Sequence, residues 1–110
     1  MADKPIINIV ATQCQPADVE KFNNWYNNVH IPMLMKSDKL MGVQRYRVMG
    51  KSEELPRFIA IYKFASFKDF EDYSASPELA AALAEMKETW GQTVELTSRV
   101  QYELIKEWAR

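Results

Sequence analysis

The chain has 110 residues, 47% apolar and 26% charged, with a formal net charge of −1. That is the size of one domain spanning residues 1–110, with enough apolar content for a real core. The near balance of charge argues against nucleic acid and against an acidic membrane surface, both of which call for a basic face; no apolar run approaches the roughly 20 residues of a membrane span.

The opening Met-Ala-Asp-Lys-Pro shows no basic-then-apolar leader. Pro5 to Thr12 reads as a first strand. Its Ile6, Ile7, Ile9 and Val10 put apolar groups on both sides, the pattern of a central strand covered on two faces. Cys14 follows alone. It can close no intrachain disulfide, and nothing near it in sequence lowers its pKa, so it reads as a small residue at a strand end in a reduced, cytoplasmic setting. Pro16 and Ala17 open a helix with Asp18 and Glu20 in its first turn, where acids suit the positive end of the dipole. Val19, Phe22, Tyr26, Val29, His30 and Met33 recur at i, i+3, i+4 and fall within an arc of about 100°. Trp25 lies at one edge of that arc and His30 on the opposite flank. Pro32 has no N–H for the Asn28 carbonyl and disfavours helical geometry at Ile31, which predicts a kink or an end there and a turn through Met33-Leu34-Met35.

Val43 to Met49 is a second strand, with Gln44, Tyr46 and Val48 on one side and Arg45 and Arg47 on the other. Gly50 to Pro56 reads as a polar, hairpin-like connection. Phe58 to Phe64 is a third strand, apolar on both faces. Ser66 caps a short helix with Asp69 at the third position, and Ser76-Pro77-Glu78 starts a longer one. Leu79, Leu83, Met86 and Trp90 form its stripe, and Gly91 ends it. A last strand runs from Val94 to Leu104, with Val94, Leu96, Val100, Tyr102 and Leu104 alternating against polar residues.

The order strand, helix, strand, strand, helix, strand is the split βαβ, or ferredoxin-like, plan: an α+β fold with a four-stranded antiparallel sheet. The first and third strands become the central pair, and both helices cover one face. Exposing Ile and Phe residues on the other face costs roughly 25 cal/mol per Å² of apolar area. A second copy of the chain is the simplest cover, which gives a homodimeric α/β barrel. The tail Ile105 to Arg110, with Trp108, is placed to pack on that partner.

His30 is the only histidine, and it follows Tyr26 by one helical turn. The run Phe22-Asn23-x-Trp25-Tyr26-x-x-x-His30-Ile31-Pro32-x-Leu34 resembles the helix-one motif of the EthD-like group in the dimeric α/β-barrel superfamily. In outline the resemblance covers most of the chain. It implies a pocket in each subunit, between sheet and helices, for an apolar or aromatic small molecule. The group's histidine maps onto His30 and its aromatic pair onto Trp25 and Tyr26. No haem-ligand or cyclase signature is matched, and no further catalytic residue carries over.

His30 therefore has two readings: a general acid or base beside a pocket, or a ring that satisfies a carbonyl freed by Pro32. Tyr26, one turn earlier, can share its hydrogen bond or serve as a core aromatic. Trp25, Met86 and Trp90 read as core that also walls a cavity, and Tyr46 and Tyr62 as phenols on neighbouring strands that supply a pocket or pack across the sheet. Arg45 and Arg47, opposite Tyr46, read as solvated charges or interface contacts, with a clamp for an anionic substrate or dimer ion pairs as the other reading. One histidine without a cluster of inward acids makes no tight metal site. Three functions stay open. The first is a cofactor-independent enzyme for proton transfer, isomerisation, cyclisation or oxidation of an apolar or aromatic substrate. The others are a non-catalytic ligand-binding or accessory protein of a degradation or oxygenase system, and a structural dimer.

Overall fold

Alternation along the first strand sets the layers. The computed structural model describes residues 4–50 and 57–110. In strand β1 (Ile6–Cys14) the side chains of Ile6, Asn8, Val10, Thr12 and Cys14 are buried, while Ile7 and Ile9 on the opposite side are half-buried. Strand β2 is Gly42–Arg47, β3 is Phe58–Phe64 and β4 is Val94–Glu103. They form one sheet in the order β2-β3-β1-β4, with all neighbours antiparallel. This is the ferredoxin-like α+β arrangement expected from the order of elements. The predicted connection from Gly50 to Pro56 lies outside the described residues beyond its first residue; Val48 N–H donates to the Arg57 carbonyl at 2.8 Å on its flanks.

Helices cover the face that carries Asn8, Val10, Tyr62 and Ala60. A 3-10 turn (Pro16–Asp18) leads into α1 (Val19–Trp25), which passes through a π-helical turn (Tyr26–His30) into α2 (Ile31–Leu34). Helix α3 (Phe67–Ser74) is capped by Ser66, whose hydroxyl accepts from Asp69 N–H, and α4 (Pro77–Trp90) by Ser76, which accepts from Leu79 N–H. Gly91, at φ +57°, ends α4 in a conformation that side-chain-bearing residues rarely adopt. Phe22 is the hub of the core, fully buried, with ring centroids 5.5–5.9 Å from Trp25, Tyr26, Phe58 and Trp90. No helix among the described residues is long and apolar enough to cross a membrane.

Two departures from simple periodicity matter for the site. The helix neither ends nor breaks at Pro32. The Ile31 N–H reaches back five residues to the Tyr26 carbonyl, so the ladder widens by one residue before the proline and the helix continues to Leu34. In β4, the register against β1 shifts between Ala11↔Ser98 and Thr12↔Leu96, which leaves Thr97 as a β-bulge. Val94 and Leu96 therefore share the helix-covered face with Cys14 and Thr12. Val100 and Tyr102 sit on the open face beside Ile9 and Ile7. The single alternating stripe read from Val94 to Leu104 is two stripes on two faces.

Candidate functional site

The extra residue in the π-turn decides what His30 touches. In an unbroken α-helix Trp25 and His30 point apart. Here the imidazole stacks on the Trp25 indole, centroids 4.8 Å apart at 25°, and meets the Tyr26 ring edge-on at 4.9 Å. The expectation of opposite flanks is corrected by this geometry. His30 is 5% exposed, and its Nδ1 is buried without a hydrogen-bond partner. The reading in which the ring satisfies a backbone carbonyl finds no support at that nitrogen. Burial removes the water that would solvate an imidazolium, and the Arg45 cation adds to the effect against an opposing pull from Glu85. The His30 pKa falls from about 6.5 to about 4, so the ring is neutral at pH 7. Glu85 stands behind the stack, where its Oε1 accepts from Trp25 Nε1–H at 2.9 Å.

Tyr26 and Tyr62 share a hydroxyl–hydroxyl hydrogen bond across the helix–sheet boundary. Burial raises the pKa of both phenols, and that of Tyr73, so all three stay protonated at neutral pH. Arg45 covers the outer side of this pair. Its guanidinium lies 4.1 Å from the Tyr26 ring centroid and donates to Asn23 Oδ1 and Asn27 Oδ1, each at 2.8 Å. Alternation puts Arg45 opposite Tyr46, and the register agrees. But the Arg45 side is the helix-covered one, so Arg45 is a pinned wall of the aromatic cluster and not a free surface charge.

Of these groups, His30, Tyr26, Tyr62 and Tyr73 border a cavity of about 260 Å³ between the sheet and the helices. β1 contributes Asn8, Val10 and Thr12 to its floor; β3 contributes Tyr62, which stands opposite Asn8 in the register. β4 adds Leu96 and Arg99. Tyr26, His30 and Leu34 come from the first helical segment, Phe70 and Tyr73 from α3, and Leu79, Leu83 and Met86 from α4. Among the described residues, no group of three or more His, Cys, Asp or Glu side chains could hold a metal ion.

Of the residues singled out in the sequence, His30, Tyr26, Tyr62 and Met86 meet at this cavity. Trp25 and Trp90 do not line it. Trp25 backs His30, and Trp90 packs beneath Phe22 and Trp25 at 5.6 and 5.9 Å with its Nε1 unpartnered. Tyr46 is elsewhere: it pairs with Ile59 on the open sheet face and is 50% exposed. Sequence reasoning passed over Asn8, Thr12, Tyr73 and Arg99. Asn8 and Thr12 did leave a signal, as two polar side chains four apart on one face of a strand otherwise apolar. Arg99 left none, because the bulge at Thr97 decides its surroundings.

The same fold recurs in solved structures at low sequence identity. An EthD family protein from Bacillus halodurans matches at TM-score 0.68 and 17% identity, over 91% of this chain and 99% of that one. The haem degrader MhuD from Mycobacterium tuberculosis matches at TM-score 0.72 and 13% identity, over 94% and 99%. A dimeric ferredoxin-like protein of unknown function from Thermobifida fusca matches at TM-score 0.60 and 17% identity, over 93% and 91%. These likenesses establish the fold. A search of curated proteins found no sequence match. One family model spans residues 5–108, nearly the whole chain, and so this protein belongs to the DUF4286 family, a domain of unknown function.

Proposed function

We propose that this chain is a homodimeric, cytoplasmic pocket protein that binds an apolar or aromatic small molecule and acts on it by cofactor-independent proton transfer, as in an isomerisation. The observation that carries the reading is a neutral, nearly buried imidazole at the wall of a 260 Å³ cavity, beside two hydrogen-bonded phenols. A cavity of about 150 Å³ lined by aliphatic and aromatic side chains is enough for benzene, so this one suits a bicyclic ring system. Neutral His30 is in the form that accepts a proton from an acidic C–H of the guest. Tyr26 or Tyr62 donates to the oxygen where negative charge then develops, and the imidazolium returns the proton at a second atom. Glu85, bonded to the indole on which His30 stacks, offsets the positive charge while it lasts. The neighbours named above, which include a haem degrader, support small-molecule chemistry on this fold without choosing a reaction.

The low basicity of His30 favours one second reading, a binder that uses the ring only as a hydrogen-bond partner. The enolisable ketone 2-tetralone separates the two. Deuterium exchange at its α-carbon in D₂O is followed by NMR, with binding read from saturation transfer in the same tube. General-base catalysis makes wild type accelerate exchange and His30→Ala lose roughly 10²-fold of that rate. Binding with equal exchange in the two proteins supports the binder. No binding by wild type removes the pocket reading altogether.

A further inference from the structure

Several polar groups of the cavity can donate to an anion. Arg99 lies on its β4 wall, opposite Val10 in the register, and no salt bridge among the described residues engages it. Among the described residues, no Asp or Glu lines the cavity. Asn8 Oδ1 is already occupied by the Gln101 side-chain amide at 2.9 Å, which leaves Asn8 its N–H donors. The phenols of Tyr26, Tyr62 and Tyr73 are neutral hydroxyls. Arg99 is close enough to Tyr26 and Tyr73 for its charge to act on both phenols. Among the described residues, an apolar hollow with one guanidinium outside any salt bridge, several donors and no carboxylate has the electrostatics of an anion's receptor.

We infer that the guest is an aromatic or polycyclic carboxylate, its ring system held between α4 and the sheet and its carboxylate taken by Arg99 with help from Asn8. This deepens the pocket reading and rests on it. The planar fork of a guanidinium suits the two carboxylate oxygens, and a charge-assisted pair at the edge of an apolar cavity is stronger than one in open water. Leu79, Leu83 and Met86 give the ring system an apolar wall. His30 lies on the helix side of the same hollow, so a carboxylate held at β4 leaves the ring end of the guest facing the imidazole.

The test compares two probes that differ in charge but hardly in shape, 2-naphthoate and 2-naphthamide, titrated into the full chain at pH 7 by isothermal calorimetry. Wild type should prefer naphthoate by roughly tenfold or more. Arg99→Gln should abolish that preference by weakening naphthoate while leaving naphthamide within about threefold, and Arg99→Lys should retain part of it. Circular dichroism checks that each variant is folded; Arg99 lies on an exposed edge strand, where the change is tolerated. Equal affinities in wild type, or a naphthoate preference that survives Arg99→Gln, overturn the carboxylate assignment while the pocket stands. If wild type binds neither probe, the pocket reading itself falls and takes the inference with it.

Discussion

A single buried imidazole makes this fold sensitive to pH. His30 has a pKa of about 4 in the folded chain, against about 6.5 when unfolded. Between those values the unfolded state binds the extra proton and the folded state does not. Stability is therefore full above about pH 6.5, declines as pH falls, and levels off near pH 4. The loss is on the order of 3 kcal/mol. Since His30 is the only histidine, one substitution isolates the effect. Urea titrations at pH 7.5 and pH 4.5 should show wild type losing more stability than His30→Gln by that amount. Carboxylates protonate in both proteins alike and cancel in the difference. An equal loss in the two would mean that water reaches the ring.

At the scale of the element, the site lies where two ladders each carry one residue too many. The π-turn rotates His30 onto Trp25, and the bulge at Thr97 moves Leu96 to the cavity while Val100 stays outside. Deleting Thr97 restores regular alternation and forces one of the two apolar stripes onto the wrong face. That should cost at least ~2 kcal/mol, the burial of one aliphatic side chain. Thr97→Ala, which keeps the residue count and changes only an exposed side chain, should stay within about 0.5 kcal/mol of wild type. Denaturant midpoints of the three proteins check both expectations, and a deletion as mild as the alanine change would show that the bulge is dispensable. The same two insertions mark the limit of what could be read in advance. Caps at Ser66 and Ser76 and the stop at Gly91 were legible because each is a local bargain between one side chain and its neighbouring backbone. The doubly apolar β1 and β3 were legible because burial on two faces leaves its mark on every residue. A one-residue slip leaves no mark on composition but shifts the phase of everything after it. So plain periodicity puts Trp25 and His30 on separate flanks, and Leu96 and Val100 on one. Arg45 and Tyr46 were correctly opposed, yet alternation alone does not say which of two sides the helices will cover.

At the scale of the whole molecule, one sheet face is left over. Across it run Ile61, Ile9 and Val100 in one row and Ile59 beside Tyr46 in the next, with Tyr102 opposite Ile7. Val100 is 42% exposed and Tyr102 51%, and beyond the strand Ile105 and Trp108 are almost wholly in solvent. The rows are branched and contiguous, the kind of surface that a monomer rarely leaves wet. A second copy laid on this face would bury it in both chains at once. Sedimentation equilibrium should then give twice the 12.8 kDa chain mass. Val100→Glu discriminates sharply. In a lone chain its carboxylate reaches water from a half-open position on the edge strand at little cost. Against a partner sheet it is a buried, unpaired charge, which is strongly unfavourable. The variant should sediment near 12.8 kDa while keeping the wild-type circular dichroism spectrum, because the core around Phe22 lies on the other side of the sheet. A wild-type protein at 12.8 kDa, or a Val100→Glu protein still at double mass, would mean that these isoleucine rows are not where two copies meet.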